Sequence, residues 1–267
     1  MKLTLLGTGT SNGVPPVYCM MTDYQHCPQN VCREAEHDPK HRRARCSMLV
    51  EVNGKQILID TTPDFRSQML TYQVKKLDAV LFTHCHADHI YGLADIRPYC
   101  WTPEMALPIY GSDETISALK RSFRYIFTPP DTRGGGIPNL TPHVIAEQSP
   151  LDLFGLEVVP GRVEHGGLQG CFGYRLGPVG YISDIKQMPA ETKPLFQDLD
   201  VLILNCLRIA PDHATHLSLA DSLALADELR AKRCYLIHMT HDIHYQKDQA
   251  LLPNHVSFAF DGLCLQV

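Results

Sequence analysis

The feature that most constrains this chain is a cluster of three imidazoles and one carboxylate within six residues. The cluster consists of His84, His86, Asp88 and His89. An apolar run over 77–82 precedes it and predicts a buried strand whose C-terminal end opens into a polar turn. Asp88 and His89 begin a predicted helix that continues to Ile96. The carboxylate of Asp88 is favourable near the N-terminus of this helix. Two ligand pairs on one loop suit two cations, and their nitrogen and oxygen atoms match zinc, manganese or iron(II).

This spacing, His-x-His-x-Asp-His over 84–89, resembles the signature of the metallo-β-lactamase superfamily of binuclear metal hydrolases. The resemblance implies the α/β class and, within it, an αββα four-layer sandwich with the metals at one edge of its two central sheets. It also implies a single domain over 1–267, with a cysteine-containing zinc loop at about 17–46 inserted near the N-terminus. A length of 267 residues is compatible with one large domain.

The second half of the chain supplies three more ligand-type residues, each soon after a predicted strand. They are His165, Asp184 and His238. By resemblance to the superfamily, one metal is held by His84, His86 and His165, the other by Asp88, His89 and His238, and Asp184 bridges the two. The implied cofactors are two divalent metals, zinc or manganese. A water shared by two such ions loses a proton near neutral pH and becomes a hydroxide nucleophile.

Two further residues have implied roles beside the metals. Asp60, at the end of an apolar strand, matches the superfamily aspartate that orients the metal loop, and a helix or turn cap is its alternative role. His216 aligns with the general acid of phosphodiesterase members, and an imidazole suits proton transfer near neutral pH. His213 competes for that role, and a helix cap is the other alternative for His216. The implied catalytic residues are therefore His216 and the bridging Asp184.

Three segments resemble one branch of the superfamily, the PhnP-like phosphodiesterases. They are Gly-Thr-Gly-Thr-Ser-x-Gly-Val-Pro at 7–15, Arg-x-Arg-x-Ser at 43–47 and Phe-Ala-Phe-Asp-Gly at 258–262. The form Asp-His-x-x-Gly-Leu at 88–93 resembles that of the phosphodiesterase and tRNA-processing branches. The branch implies a phosphodiesterase that cleaves small phosphodiesters, cyclic ones included, with a metal-bridging hydroxide. Two alternatives remain. An RNA-processing nuclease of the tRNA 3′-end type needs a basic docking appendage, and a non-catalytic PqqB-like carrier would have lost metal ligands.

A polar segment near the N-terminus carries three cysteines that predict a structural zinc site. They are Cys19, Cys27 and Cys32. The PhnP-like branch places cysteines here and implies His241 as the fourth ligand, although the present spacing is wider than in the branch. Free thiols are the alternative, and His26 could replace one cysteine. His244, three residues further on, is predicted to lie at the surface.

Composition limits the partners of the chain. A net charge of −5 argues against a nucleic-acid surface, because phosphate binding needs clustered Lys and Arg. No run of about twenty apolar residues predicts a membrane span, and the first residues predict a strand and a glycine turn rather than a signal peptide. Ten cysteines in such a chain favour a reducing cytoplasm.

The expected partner is a small phosphodiester substrate. The oligomeric state is left open, and a homodimer is one of the alternatives. Residues 127–138, rich in proline and glycine, are expected to form either a connection between the two halves or a flap over the site.

Overall fold

The structure is a computed structural model that describes residues 1–127 and 136–267, in which two seven-stranded sheets lie face to face. The first sheet contains β1 (Lys2–Gly7), β2 (Ser47–Val52), β3 (Lys55–Ile59), β4 (Ala79–Leu81), β5 (Leu107–Gly111), β6 (Leu140–Val144) and β14 (Cys264–Gln266). The second contains β7 (Leu151–Leu153), β8 (Leu156–Arg162), β9 (Phe172–Leu176), β10 (Val179–Ile182), β11 (Val201–Asn205), β12 (Cys234–Ile237) and β13 (Val256–Phe258). Their strand orders are β14-β1-β2-β3-β4-β5-β6 and β13-β12-β11-β10-β9-β8-β7.

Seven α-helices are described. They are α1 (Val17–Met20), α2 (Val31–Glu34), α3 (Phe65–Thr71), α4 (Ala87–Ile90), α5 (Asp113–Ser122), α6 (Leu219–Glu228) and α7 (Tyr245–Asp248). Short 3₁₀ turns lie at Pro28–Asn30, Leu93–Tyr99, Pro103–Met105, Lys193–Phe196 and Gln249–Leu251. None of the helices within the described ranges is long and apolar enough to cross a membrane.

Three apolar layers hold the sheets and helices together. Between the sheets, inward side chains such as Met48 and Ile57 pack against Tyr174 and Ile203 of the facing sheet. Helices α3 and α5 cover the outer face of the first sheet, and α6 covers the outer face of the second. Burial of this apolar surface is the main favourable contribution to the fold. The predicted αββα sandwich is confirmed.

Parallel pairing places the functional end of the molecule. Strand β4 is parallel to β3 and to β5, and β10, β11 and β12 are parallel to one another. Strand β8 runs antiparallel to β9, which runs antiparallel to β10, so β8 has the direction of β10. The carboxyl ends of parallel strands meet at one edge of a sheet. Each sheet therefore gathers several strand ends at one edge.

The helix predicted after the His-Asp cluster is wrong in its length. Helix α4 ends at Ile90, and a separate 3₁₀ turn follows from Leu93. The break occurs at Gly92, whose N–H donates to the carbonyl of Thr61. A side chain at position 92 would collide with the carbonyl oxygen of Thr62, so close packing on this segment requires glycine.

Serine side chains cap two other helices. Ser112 caps α5 by accepting a hydrogen bond from the Thr115 backbone, and Ser218 caps α6 in a reciprocal bond pair with Asp221. Helix α3 begins at Phe65, two residues after Pro63. The segment predicted as a connection or flap at 127–138 lies largely outside the described residues.

Candidate metal centre

The first group of ligand-type side chains lies where β4 and β8 end. His84 Nε2 is 3.0 Å from His86 Nδ1, which is 3.1 Å from His165 Nε2. Their ligand atoms all lie within 4.8 Å of one another, although His165 is 79 residues from His86 in sequence. Burial and the neighbouring His89 lower the pKa of His84. This keeps its imidazole neutral, the form that binds a metal.

The second group combines the start of α4 with the end of β12. His89 Nε2 lies 3.3 Å from Asp88 Oδ2, and His238 Nε2 lies 3.8 Å from the same oxygen. Burial opposes the charge of His238, but Asp184 outweighs it and raises the pKa of this imidazole to about 9. A protonated His238 ring therefore compensates the negative charge of the Asp88 and Asp184 carboxylates.

Asp184, directly after β10, lies between the two groups. Its Oδ1 is 3.1 Å from His238 Nε2 and 3.8 Å from His165 Nε2, and its Oδ2 is 3.1 Å from His89 Nε2. The side chain is 2% exposed. Burial raises the pKa of the carboxyl, but His238 and His89 outweigh burial and hold the pKa well below its usual range. One ionised carboxylate thus faces both groups.

Several ligand atoms in the centre make no hydrogen bond of acceptable geometry. They are His89 Nε2, His238 Nε2 and Asp184 Oδ2. Buried polar atoms are rarely left unsatisfied, and each exception needs an explanation. Here the unpartnered atoms face one another at about the spacing of ligands around a shared ion, and their nitrogen and oxygen set suits zinc or manganese. The residues therefore fit two divalent cations.

Neighbouring groups orient the ligand rings. His89 Nδ1 lies 2.8 Å from Asp60 Oδ2, and Asp60 also accepts hydrogen bonds from the backbone and hydroxyl of Thr83 at 2.8 Å. His165 Nδ1 lies 2.9 Å from the carbonyl of Thr215, which leaves Nε2 facing the site. Such contacts fix the ring and its tautomer. Asp60 therefore contacts a ligand ring, as the resemblance implies, and does not cap a helix.

His216, the predicted proton donor, lies beside the second group. Its Nδ1 is 3.8 Å from Asp184 Oδ1, and its ring stacks on His238 with centroids 4.6 Å apart. Burial and His238 lower the pKa of His216 to about 3. With His213 it lines a cleft of about 220 Å³ that also includes Tyr18 and Arg208.

Asn205 is a site residue that the sequence reasoning missed. Its Nδ2 donates to the carbonyl of Ser183 at 2.8 Å and lies 3.3 Å from His216 Nδ1, while its Oδ1 accepts from the backbone of Leu217. An amide donor facing Nδ1 favours the tautomer with the proton on Nε2. Asn205 ends the apolar strand β11, and this strand-end position is the signal in the sequence that marks it, although its amide has no metal-ligand chemistry.

A second, separate cluster joins the N-terminal loop to the chain after β12. It consists of Cys19, Cys27, Cys32 and His241, with ligand atoms within 4.8 Å of one another. His241 Nδ1 lies 3.2 Å from Cys32 Sγ and 3.6 Å from Cys27 Sγ, and its Nε2 lies 3.1 Å from the hydroxyl of Tyr18. Burial raises the pKa of the Cys32 thiol, so a thiolate there requires a nearby cation.

The structure also tests the predictions for His26 and His244 and shows the state of the cysteines. His26 is exposed and is not a member of the cysteine cluster. The predicted surface position of His244 is wrong, because it is 4% exposed and its Nε2 lies 2.9 Å from Glu34 Oε2. All ten cysteines are free, so no disulfide restrains the loop.

Comparison with known proteins identifies the family of the chain. The sequence pattern of the beta-lactamase superfamily domain matches residues 55–239. The crystal structure of a diphosphatase from the PhnP family superimposes with a TM-score of 0.86 and 37% identity, covering 100% of this chain and 97% of that one. By its sequence and its fold, the chain belongs to the metallo-β-lactamase superfamily and, within it, to the PhnP family.

Two curated relatives match over different lengths. An octanoyltransferase of Porphyromonas gingivalis is 35% identical over 266 residues, which are 98% of this chain and 51% of that protein. The chain thus spans about half the length of this relative, and the relative's name describes a protein of which the matched region is only a part. A ribonuclease Z of a Bradyrhizobium strain is 30% identical over 87 residues, 31% of this chain and 29% of that protein.

Proposed function

We propose that this chain is a binuclear metal-dependent phosphodiesterase that cleaves small phosphodiesters, cyclic ones included. The observation that carries the proposal is the convergence of two three-residue ligand groups on the carboxylate of Asp184. The full-length likeness to a diphosphatase of the PhnP family supports hydrolysis at phosphorus. Two divalent metals, zinc or manganese, would activate a shared water and neutralise charge on a phosphoryl oxygen.

In this proposal the protein holds its ligands in place. The Nδ1 contacts of His89 with Asp60 and of His165 with Thr215 direct both Nε2 atoms into the site. Asp184 Oδ2 faces His89 of the second group, while its Oδ1 lies between His238 of the second group and His165 of the first. Ligands fixed in this way need little rearrangement when charge develops on the substrate, which is the general source of electrostatic catalysis.

We assign proton donation to the leaving alkoxide to His216. Its ring lines the cleft, and its Nδ1 lies 3.8 Å from Asp184 Oδ1, so His216 stands between the cleft and the proposed metal ligands. Because its pKa is lowered to about 3, the free imidazole is neutral at pH 7, so this role requires the anionic substrate to raise that pKa. His213, with its ring centroid 5.2 Å away, is the competing donor.

A diphosphate linkage is the second candidate substrate, because the full-length relative is a diphosphatase. Arg208 lines the same cleft and supplies a cation for a second phosphoryl group. The RNA-processing alternative rests on similarity to ribonuclease Z over 87 residues only. A carrier without catalysis is disfavoured by the full set of seven ligand-type residues.

The cysteine cluster completes the proposal. We infer that Cys19, Cys27, Cys32 and His241 hold a structural zinc, since three sulfurs and one nitrogen form a closed tetrahedral set. Ten free cysteines support a reducing, cytoplasmic setting.

The decisive experiment compares His86→Ala with His143→Ala. His86 belongs to the first ligand group, whereas His143 is an exposed histidine on β6. Each purified variant is analysed for bound metal and assayed on bis-p-nitrophenyl phosphate, a 2′,3′-cyclic nucleotide and a nucleoside diphosphate.

His86→Ala is expected to lose metal and turnover, while His143→Ala keeps both. Diesterase turnover that survives in His86→Ala would refute the binuclear mechanism. Hydrolysis of the diphosphate alone by the metal-loaded wild type would move the substrate class to the second candidate.

A further inference from the structure

A third cluster of ligand-type residues lies apart from both sites described above. It consists of Glu34, His41 and His244, whose ligand atoms lie within 4.8 Å of one another. Glu34 ends α2, two residues after Cys32, and His244 follows His241 by three residues. The cluster therefore joins the same two segments as the cysteine cluster, with ligands of a different kind.

The two histidines of the cluster are buried and unsatisfied. The side chain of His41 is 0% exposed, and neither of its ring nitrogens has a hydrogen-bond partner among the described residues. His244 Nε2 is also without such a partner, although Glu34 Oε2 lies only 2.9 Å away. Buried ring nitrogens without a partner destabilise a fold and are rare in proteins, so these need an explanation.

The geometry of these contacts is that of ligands around a common ion. Glu34 Oε2 lies 2.9 Å from His244 Nε2 and 3.4 Å from His41 Nε2, yet neither contact is an aligned hydrogen bond. Nitrogen and oxygen that share a tetrahedral ion approach each other closely, but off the axis of the ring N–H. The same combination of short distance and missing alignment occurs at His89, His238 and Asp184 in the catalytic centre.

The carboxylates around the two rings also suit a metal. Glu34 supplies one negative charge, and its other oxygen faces Lys247 at 3.8 Å. Asp38 Oδ2 lies 3.9 Å from His41 Nε2, near the remaining coordination position, and accepts a hydrogen bond from Gln246.

We propose that Glu34, His41 and His244 form an additional zinc site that fastens the cysteine loop to helix α7. Two imidazoles and one carboxylate are a ligand set that zinc uses, with water or Asp38 in the fourth position. His244 also caps α7 through its Nδ1, so a bound ion would couple that helix to α2. The site is distinct from the proposed catalytic pair and from the cysteine cluster, and it stands whether or not the catalytic proposal holds.

The test counts and locates zinc in the full chain. Protein loaded with zinc and dialysed against a weak chelator is analysed for zinc per chain, and crystals are measured at the zinc absorption edge. The variant is Glu34→Gln, which removes the charged ligand and keeps its shape. The matched control is Glu36→Gln, an exposed carboxylate two residues away. Cys32→Ser reports the cysteine cluster separately.

Glu34→Gln is expected to lose one equivalent of zinc relative to the wild type, while Glu36→Gln keeps the wild-type content. Cys32→Ser combined with Glu34→Gln is expected to lose one equivalent more than either alone. A wild-type anomalous peak among Glu34, His41 and His244 supports the site even if Glu34→Gln fails to fold. Absence of that peak, or unchanged zinc in a folded Glu34→Gln, overturns the proposal.

Discussion

The candidate metal centre and the cysteine loop both gather side chains of metal-ligand type, but the rest of the chain supports them in opposite ways. The predicted ligands of the centre follow strands whose side chains pack into the large cluster between the sheets. The cysteine loop has an apolar cluster of only four buried residues, two of which are cysteines. Strand ends hold their side chains in place without a metal, whereas a loop with so little apolar burial depends on its ligands.

This difference has a direct consequence for metal removal. In the catalytic centre, loss of the ions should remove activity and leave the sheets intact. In the loop, loss of the ion should release residues 17–46 and affect activity only indirectly. A structural metal contributes folding free energy, while a catalytic metal contributes chemistry.

The strongest test of the comparison is Asp184→Asn. Replacing the shared carboxylate removes the charge that both ligand groups face, so activity should fall by about 10⁴-fold or more. Protection of residues 17–46 against protease should stay at the wild-type level. Asp200→Asn, at a surface ion pair with Lys232, serves as the control and should change neither property. Opening of the loop in Asp184→Asn would show that the two regions are not independent.

His216→Ala separates chemistry from metal binding within the catalytic centre. The variant should keep its metals and lose about 10²–10³-fold in activity on alkyl diesters, because a poor leaving group needs a proton donor. Loss on p-nitrophenyl esters should be smaller, because that leaving group needs little protonation. The measurement is the hydrolysis rate of each variant on alkyl diesters and on p-nitrophenyl esters. His213→Ala is the matched variant, and a leaving-group effect in that variant alone would transfer the role to His213.

Residue types and strand ends were enough to predict which side chains come together at the candidate metal centre, because the predicted ligands follow apolar strands and parallel strands meet at one edge. The orienting contacts could not be predicted in the same way. The carbonyl of Thr215 reaches His165 only after β8 and the loop before α6 have been brought together. Asn205 follows the strand-end pattern but has no metal-ligand chemistry to mark it.

Two errors in the sequence predictions have the same physical origin. The polar segment around His244 resembles a surface, yet the cysteine loop packs over it and buries the ring. The helix predicted through Gly92 is interrupted because the backbone of Thr61 and Thr62 approaches that position closely. In both cases a tertiary contact overrides what the local sequence favours.

Asp60→Asn weakens the support of the catalytic ligands without removing one. Asp60 accepts hydrogen bonds from Thr83 and from His89 Nδ1. The side-chain amide of an asparagine would place its NH₂ group against one of these N–H or O–H groups, and that hydrogen bond would be lost. Activity or metal affinity should fall by about 10–100-fold. Asp78→Asn likewise replaces one of two acceptor oxygens, here those that accept from Lys55 and from the Gln56 backbone where β3 and β4 begin, away from the candidate metal centre, so it should lower stability and leave activity unchanged. Equal activity losses in both variants would mean that Asp60 acts only through stability.

Cys32→Ser is expected to have the smallest effect on activity and the largest on the loop. Its sulfur lies 3.2 Å from His241, and losing one of four ligands should release the ion that orders residues 17–46. Protease should then cut the loop at least about tenfold faster. Turnover should fall by less than about tenfold, because the cysteine cluster reaches the cleft through Tyr18 and His241, and neither is a proposed ligand of the catalytic metals or a proposed proton donor.

Cys100→Ser is the control for that variant, since Cys100 is also fully buried but belongs to the apolar cluster beneath α3 and α5. It should leave the loop protected. If the loop of Cys32→Ser stays protected as well, either the proposed zinc site at Glu34, His41 and His244 or the apolar contacts of Val14 and Val31 hold it in place. Protection that persists when Glu34→Gln is added would show that the apolar contacts are sufficient, and the contrast between the two regions would disappear. If the loop opens and activity falls with it to the level of Asp184→Asn, the loop is part of the catalytic site. Only an open loop with largely preserved turnover supports the division between a metal that organises the chain and metals that carry out its chemistry.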